Sequence, residues 1–415
     1  MKTAQTTFRI GGAFAAVFVM LILLKEVFRK EPERLSVPIR IVHSNPTNYF
    51  EYEPTAGDIV LPDSVRGNSE VHQRPAGEWS WTGPDACGEC HKEQWKTARK
   101  TPHFNTSSLP DKIKMLGSYV PGHNQMQTGN RELKFLMETE GRNHYQSVVW
   151  KDRELYRASI DLVIGSGLNL GQSYGTWQEN RLLQLPISYY TPNKAWVNSP
   201  GFVDGTAVFI RPIISRCLEC HVTAWDSATN DPMDYRRRSD KMIHGITCES
   251  CHGPGKDHVQ HHRADPTDKV ARKILAFSST KASGVNALCS KCHGSEDPEN
   301  EAPGVHSNNQ LQRLQKSECF KKSGGLTCVD CHNPHRYERG KHVLAASRCQ
   351  SCHELKDCKA VEPGRHQFFT EQCANCHMER RQMADIGFDA ADREIIPSAI
   401  DHFIRVLPGK KTKIE

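Results

Sequence analysis

The chain has 415 residues, of which 37% are hydrophobic, 8% aromatic and 25% charged, with a formal net charge of +6. This composition excludes a polytopic membrane protein, a collagen-like fibre and wholesale disorder, and it undersupplies a conventional large core. The outlier is a set of 16 Cys and 21 His, whose spacing must decide between disulfides, zinc and haem.

Residues 1–30 read as an export segment. Lys2 and Arg9 precede a charge-free run over 10–24, which Lys25 closes. The small-x-small triplet Ala13, Phe14, Ala15 lies ahead of the most apolar part of that run, so a single-pass anchor is expected, with a cleaved signal as the alternative. A helix of that length reaches roughly 22 Å, short of a ~30 Å hydrocarbon core, though Val27, Phe28 and a snorkelling Lys25 could extend it. The basic stretch from Lys25 to Arg34 opposes the usual orientation, but large exported domains cross largely regardless of that rule. Residues 31–83 contain Pro32, Pro38, Pro46, Pro54, Pro62 and Pro75 and read as an extended tether lifting the body off the membrane.

Segment 84–118 opens a series of motifs. Fourteen of the 16 cysteines fall into C-x-x-C pairs, and every pair is followed at once by His. The seven sets are Cys87, Cys90 and His91; Cys217, Cys220 and His221; Cys248, Cys251 and His252; Cys289, Cys292 and His293; Cys328, Cys331 and His332; Cys349, Cys352 and His353; and Cys373, Cys376 and His377. Two thiols at this spacing reach the two vinyl groups of one porphyrin, and the adjacent imidazole comes up beneath the iron. A disulfide framework needs no His there. Zinc ribbons would place His after a pair at background frequency, so seven in seven is on the order of one in a billion by chance. Seven covalently attached haems c are expected. Their propionates bring the holoprotein to neutral or acidic, so the net charge does not indicate nucleic acid, and runs such as Arg236 to Arg238 read as solvated surface.

Between the first and second motifs, 119–216 is free of haem motifs. The stretches 133–138, 145–150, 155–164, 181–190 and 208–214 are short and rich in β-branched and aromatic residues, with turn residues between them. They predict a small antiparallel β module. The glycines Gly165, Gly167 and Gly171 imitate a dinucleotide loop, but the last comes one position late and no helix follows, so a turn is expected. Region 217–405 holds the other six motifs, dense enough that porphyrins replace the apolar core and the chain becomes short helices and loops. Residues 406–415 form a basic tail. The expected fold is thus a mainly α and irregular multihaem cytochrome c fold with closely packed haems plus the β module. Cys319 and Cys358 lie outside the motifs, and a disulfide between them is expected in an oxidising compartment, with two free thiols as the alternative.

His335 follows His332 by three residues, with Pro334 stiffening the link. On that leash it cannot reach the far face of its own haem, so it is expected to ligate a neighbour's iron. His123, His244, His262, His306 and His342 are weaker candidates, and His43 and His72 read as bystanders.

Several pieces together resemble a family of bacterial multihaem c-type cytochromes, whose best-known member is the tetrahaem carrier that accepts electrons from hydroxylamine oxidoreductase. They are Cys87 to His91 with Trp95 and Thr101-Pro102-His103; the stretches 163–167, 185–190 and 196–201; Cys248 to Gly255 with His258; Cys328 to His335; and Cys376-His377-Met378. The resemblance covers roughly 84–405. It implies a periplasmic or cell-envelope redox protein with mostly bis-His iron, and it adds His103, His258, His366 and His402 as distal ligands. Seven motifs and the β module depart from the tetrahaem relative, so its partner does not transfer.

The resulting expectation is a membrane-anchored cytochrome on the periplasmic side of the inner membrane. It would relay electrons through seven haems to redox partner proteins, with no catalytic residue. Two alternatives are an oxidoreductase acting on a small nitrogen compound at one five-coordinate haem, and a quinol-oxidising haem protein. No C-x-x-C-Lys motif supports the first, and the tether, by distancing the first haem from the bilayer, argues against the second.

Overall fold

The computed structural model describes residues 36–63, 79–168, 170–227, 231, 233–235, 242–277, 280–295, 304–358, 373–391 and 393–405. The expected anchor, His72, His366 and the basic tail lie outside them. No helix among the described residues is long and apolar enough to cross a membrane.

The β structure is larger than the small module expected. A four-stranded meander runs Gln125–Gln127, Leu133–Glu140, Asn143–Trp150 and Arg153–Ser159. Its last hairpin turns on Lys151 and Asp152, both at positive φ, because a two-residue connection needs that twist to follow the strands. A second, six-stranded sheet is ordered Ala195–Asn198, Ile187–Tyr190, Gly171–Gln178, Leu162–Ile164 and Ser107–Ser108, with Arg181–Gln184 also pairing to Gly171–Gln178. The two sheets share a core that includes Phe135, Met137, Val148, Tyr174, Ile187 and Phe209. The glycine loop connects strand to strand. A Cβ on Gly171 would lie 1.8 Å from the Tyr189 carbonyl oxygen, so this glycine permits the close approach of two strands and cradles no phosphate.

Two expectations are corrected here. The tether reading fails over 36–63: Arg40–Ser44 and Asp58–Pro62 pair in parallel, and Ala207–Val208 joins the latter, also in parallel. Ile59 and Val60 are fully buried in this arrangement. The three-residue apolar run Ile59 to Leu61 outweighs the surrounding prolines because its pairing partner lies far along the chain. The module is therefore neither purely antiparallel nor confined to 119–216. Asp58 anchors the added piece, since its buried carboxylate accepts from Arg40 Nε and Nη2, Tyr52 Oη, and the backbone N–H and Oγ1 of Thr55, all at 2.8–3.0 Å. The expected disulfide is also absent, as Cys319 and Cys358 are both unpaired thiols.

The second half is built from short helices, of which Ala282–His293 is the longest among the described residues. Among the described residues between 245 and 385 its buried apolar side chains are only Val285, Val305, Leu311, Leu314, Ala346 and Met383. So little buried surface is far below what a stretch of this length needs to offset its conformational entropy.

The bond from Arg40, outweighing burial, holds the Asp58 carboxyl well below the usual carboxylate range. A depressed folded value means its stabilisation is complete above the unfolded value of about 4 and is lost as the pH falls through the folded value. Asp58→Ala leaves several donors unpaired and is expected to cost about 1–3 kcal/mol at pH 7. Denaturant unfolding at pH 7 checks this, and the gap between variant and parent should narrow in acid.

Candidate haem-binding sites

Each described C-x-x-C-His sequence coils into a short helix or the end of one, which turns two thiols and an imidazole toward the same gap. The helices are Pro84–Cys90, Ser215–Glu219, Cys248–His252, Ala282–His293, Cys328–Cys331, His342–Gln350 and Cys373–His377. Two thiols separated by one helical turn lie on one face, the face on which a planar ring could be fixed at two points.

Four motif histidines face a second imidazole from another part of the chain. Ring centroids are 6.4 Å apart for His91 and His258, 6.0 Å for His103 and His293, 6.2 Å for His252 and His335, and 6.1 Å for His332 and His402. An iron taking one nitrogen from each side at about 2 Å would hold two imidazole centres roughly 6 Å apart. Bare stacked rings would close to contact. All eight residues keep some solvent-accessible surface although protein packs closely around their rings.

The histidine hydrogen bonds fit the same chemistry. His252 Nδ1 lies 2.9 Å from the Leu275 carbonyl oxygen, His258 Nδ1 2.7 Å from that of Arg272, His377 Nδ1 2.7 Å from that of Arg405, and His402 Nδ1 3.2 Å from that of Ile400. A carbonyl oxygen only accepts, so these contacts put the proton on Nδ1 and leave Nε2 with a free lone pair, the arrangement seen around metal-bound His. Burial adds to this by disfavouring the imidazolium: the protein packed around them lowers His103 and His402 to about 4, and His91, His293, His332 and His335 shift the same way. The donor set, the ring separations and the missing apolar core all fit covalently held haem at these motifs.

His335 thus faces His252 of the third motif, not His332 beside it. His258 faces the first motif, His103 the fourth and His402 the fifth. Among the described residues no imidazole faces His221, His353 or His377. The Nδ1 atoms of His221 and His244 are buried without a partner, and burial lowers both histidines, His244 to about 4.

The motif helices touch one another in a definite order. Pro84–Cys90 packs on Cys248–His252, Ala282–His293 on Cys328–Cys331, the latter on His342–Gln350, and that on Cys373–His377. Cys292 Sγ lies 3.6 Å from the carbonyl oxygen of Glu219 in the second motif.

The braces at these contacts were not foreseen. Glu249 sits inside the third C-x-x-C, where an acid suggests an exposed position, yet it is 1% exposed. Its Oε1 accepts from the backbone N–H of Thr82 at 2.9 Å and Gly255 at 2.7 Å, and its Oε2 from Gly83 at 2.8 Å, tying the third motif to the start of the first. Asn286 joins the fourth motif to the fifth, accepting from Cys328 N at 3.0 Å and donating to Leu326 O at 3.0 Å. Asp401, next to His402, accepts from Arg313 Nε at 2.8 Å and Nη2 at 2.5 Å. Burial alone would raise the Asp401 carboxyl, but the bonds from Arg313 and from the Phe403 N–H more than reverse it. The sequence signal for these braces is weak: a carboxylate or amide beside a motif, with its partners distant.

Residues 203–253 match the family model of cytochrome c554 and c-prime. That stretch contains the second and third motifs and supports a c-type cytochrome with covalently bound haem. No curated protein matches the chain. Among solved structures, the outer cell wall cytochrome OcwA superposes with a TM-score of 0.48 at 14% identity, over 79% of this chain and 80% of that one.

Glu249→Ala is expected to lower stability by about 2–3 kcal/mol, because three N–H groups lose a charged acceptor. Glu249→Gln, which keeps one carbonyl oxygen, should lose less. Chemical denaturation followed by far-UV circular dichroism separates the two.

Proposed function

We propose that the protein is an electron-relay cytochrome carrying seven covalently bound haems, one at each C-x-x-C-His motif. The observation that carries this reading is the set of four facing imidazole pairs at 6.0–6.4 Å, each joining a motif His to a His from another segment. In this reading His258, His335, His103 and His402 complete bis-His sites at the first, third, fourth and fifth motifs. When bound, haem supplies one-electron chemistry at an iron that exchanges no ligand. The chain holds the imidazoles neutral, orients them through Nδ1, and fixes each site against its neighbour.

The contacts between motif helices support two runs, first with third and fourth through fifth and sixth to seventh, with the second motif branching at the fourth and the His252–His335 pair bridging the third to the segment after the fifth. This arrangement differs from the order along the chain, because each facing His bridges to another motif. The proposal includes export: thioether haems are expected outside the cytoplasm, and residues 1–30 carry the pattern of an export segment, with redox proteins as partners. The packing of 36–63 onto the body weakens the spacing argument against quinol oxidation, but no feature of the described residues points to a quinol site. An oxidoreductase of a small nitrogen compound needs one iron with an open face. His221, His353 and His377 are the places to look, since no described imidazole faces them.

Two measurements test the proposal. The intact mass of the holoprotein should correspond to seven haems, and a lower number removes the corresponding motif from the relay. His335→Ala should keep every thioether link yet convert one haem, that of the third motif, from low to high spin, with a rise in its potential as a donor is lost. An unchanged spin-state spectrum would make His335 a surface residue and undo the bis-His assignment built on the same geometry.

A further inference from the structure

Away from the motifs, the β body carries a cleft of about 780 Å³ that the relay does not use. This volume lies in the range of sites for small organic ligands. Four segments build it: the loop around 114–118, the turn and strand of 123–127, the turn and strand around 189–196, and the hairpin of Phe388–Ala390 with Arg393–Ile395.

Each wall is held by a buried device. Gln172, 2% exposed, grips the first loop from both sides, accepting from Leu116 N at 2.9 Å and donating to Lys114 O at 3.0 Å. The Trp196 indole lies flush on Gly117, where φ is +85° and a Cβ would come within 2.3 Å of the ring. Tyr189 and Tyr119 hold that indole edge-on, with centroids 5.2 and 5.7 Å away. The hairpin is fastened by Phe388 against Tyr190 at 4.9 Å and by Asn198 Nδ2 donating to the Asp389 carbonyl oxygen at 3.0 Å.

Charge is sorted around this cleft. Among the described residues, Lys114, Lys194 and Arg393 line it, no carboxylate does, and none of the three takes part in an ion pair. On the hairpin the sorting follows strand alternation: Arg393 pairs with Ala390, both lining the cleft, while Glu394 pairs with Asp389 and turns back toward Gly387. Three unpaired cations around two aromatic walls attract a ligand that is both planar and anionic.

We propose that this cleft is a binding site for small aromatic anions, with the ring system against Trp196 and Tyr189 and the carboxylate or phosphate between Lys114, Lys194 and Arg393. The site stands whether or not the relay reading does, because none of its residues lies in a haem motif.

Isothermal titration of the full-length holoprotein tests it with three probes: 2-naphthoate, the cationic isostere 2-naphthylmethylammonium, and inorganic phosphate. The expected result is one naphthoate per chain, with affinity falling at higher salt, and no binding of the cation. Lys194→Ala and Arg393→Ala, both exposed positions, should each weaken naphthoate several-fold. Trp196→Phe should weaken naphthoate while leaving any phosphate binding unchanged. Absence of naphthoate binding, equal binding of the cation, or an affinity unmoved in the Lys114→Ala, Lys194→Ala, Arg393→Ala triple variant would overturn the proposal. Phosphate binding as tightly as naphthoate would overturn its aromatic part.

Discussion

Imidazoles from separate segments are held about 6 Å apart, and the second half of the molecule is arranged around that spacing. His91 with His258, His103 with His293, His252 with His335 and His332 with His402 each join a motif to a segment that follows another motif or closes the chain. A chain with so few buried apolar side chains beyond residue 245 gains little from burial to set against its conformational entropy. Groups that bridged those gaps and filled the space between them would provide cohesion as well as redox chemistry. This explains why the braces at Glu249, Asn286 and Asp401 are polar and mostly directed at backbone: with no large core to wedge the short helices apart, hydrogen bonds set their positions.

What could be read from the sequence divides along the range of the interaction. The seven motifs are visible because the chemistry is local, two thiols and an imidazole within five residues. The placement of His335 off its own motif follows from the same kind of reasoning, since a three-residue leash with Pro334 restricts where the ring can go. Which motif it faces is a tertiary fact, and no local rule points to His252. His103, His258 and His402 were expected through resemblance rather than derivation, and their facing partners belong equally to the fold. Glu249 went unseen because a carboxylate inside a C-x-x-C pair reads as exposed until its three backbone donors, two of them from the distant first motif, are brought to it.

The same division holds in the β body. Hairpins with two-residue turns were legible, as in 145–150 returning through Lys151 and Asp152. Gly171–Gln178, the strand that joins most of the second sheet, begins at the last glycine of a stretch that reads as a turn, so its start and its central place in the sheet are not visible locally. Its glycines are there because neighbouring backbones come too close for a side chain. The parallel pairing of Arg40–Ser44 with Asp58–Pro62 was hidden for another reason, since nothing within 31–83 announces the strand at Ala207–Val208 that completes it.

The β body also does more than fill the interval between two motifs. Ser107 opens a strand of its second sheet, and its Oγ donates to the carbonyl oxygen of His221 at 2.6 Å and accepts from Gly245 N at 3.0 Å. Thr106 Oγ1 donates to the same His221 carbonyl at 3.0 Å, and Ile246 N donates to the carbonyl oxygen of His103 at 2.8 Å. Gly245, at φ +75°, lets this crossing close, since a Cβ there would meet the Phe104 carbonyl at 2.1 Å. His103 therefore leaves the sheet only four residues upstream of Ser107, on a crossing braced to the second motif and to the approach of the third. A separation near 6 Å between His103 and His293 tolerates displacements of only tenths of an ångström if both nitrogens are to reach one iron. A flexible insertion at this place would transmit its motion straight into that pair, whereas a sheet with a packed aromatic core holds the imidazole still.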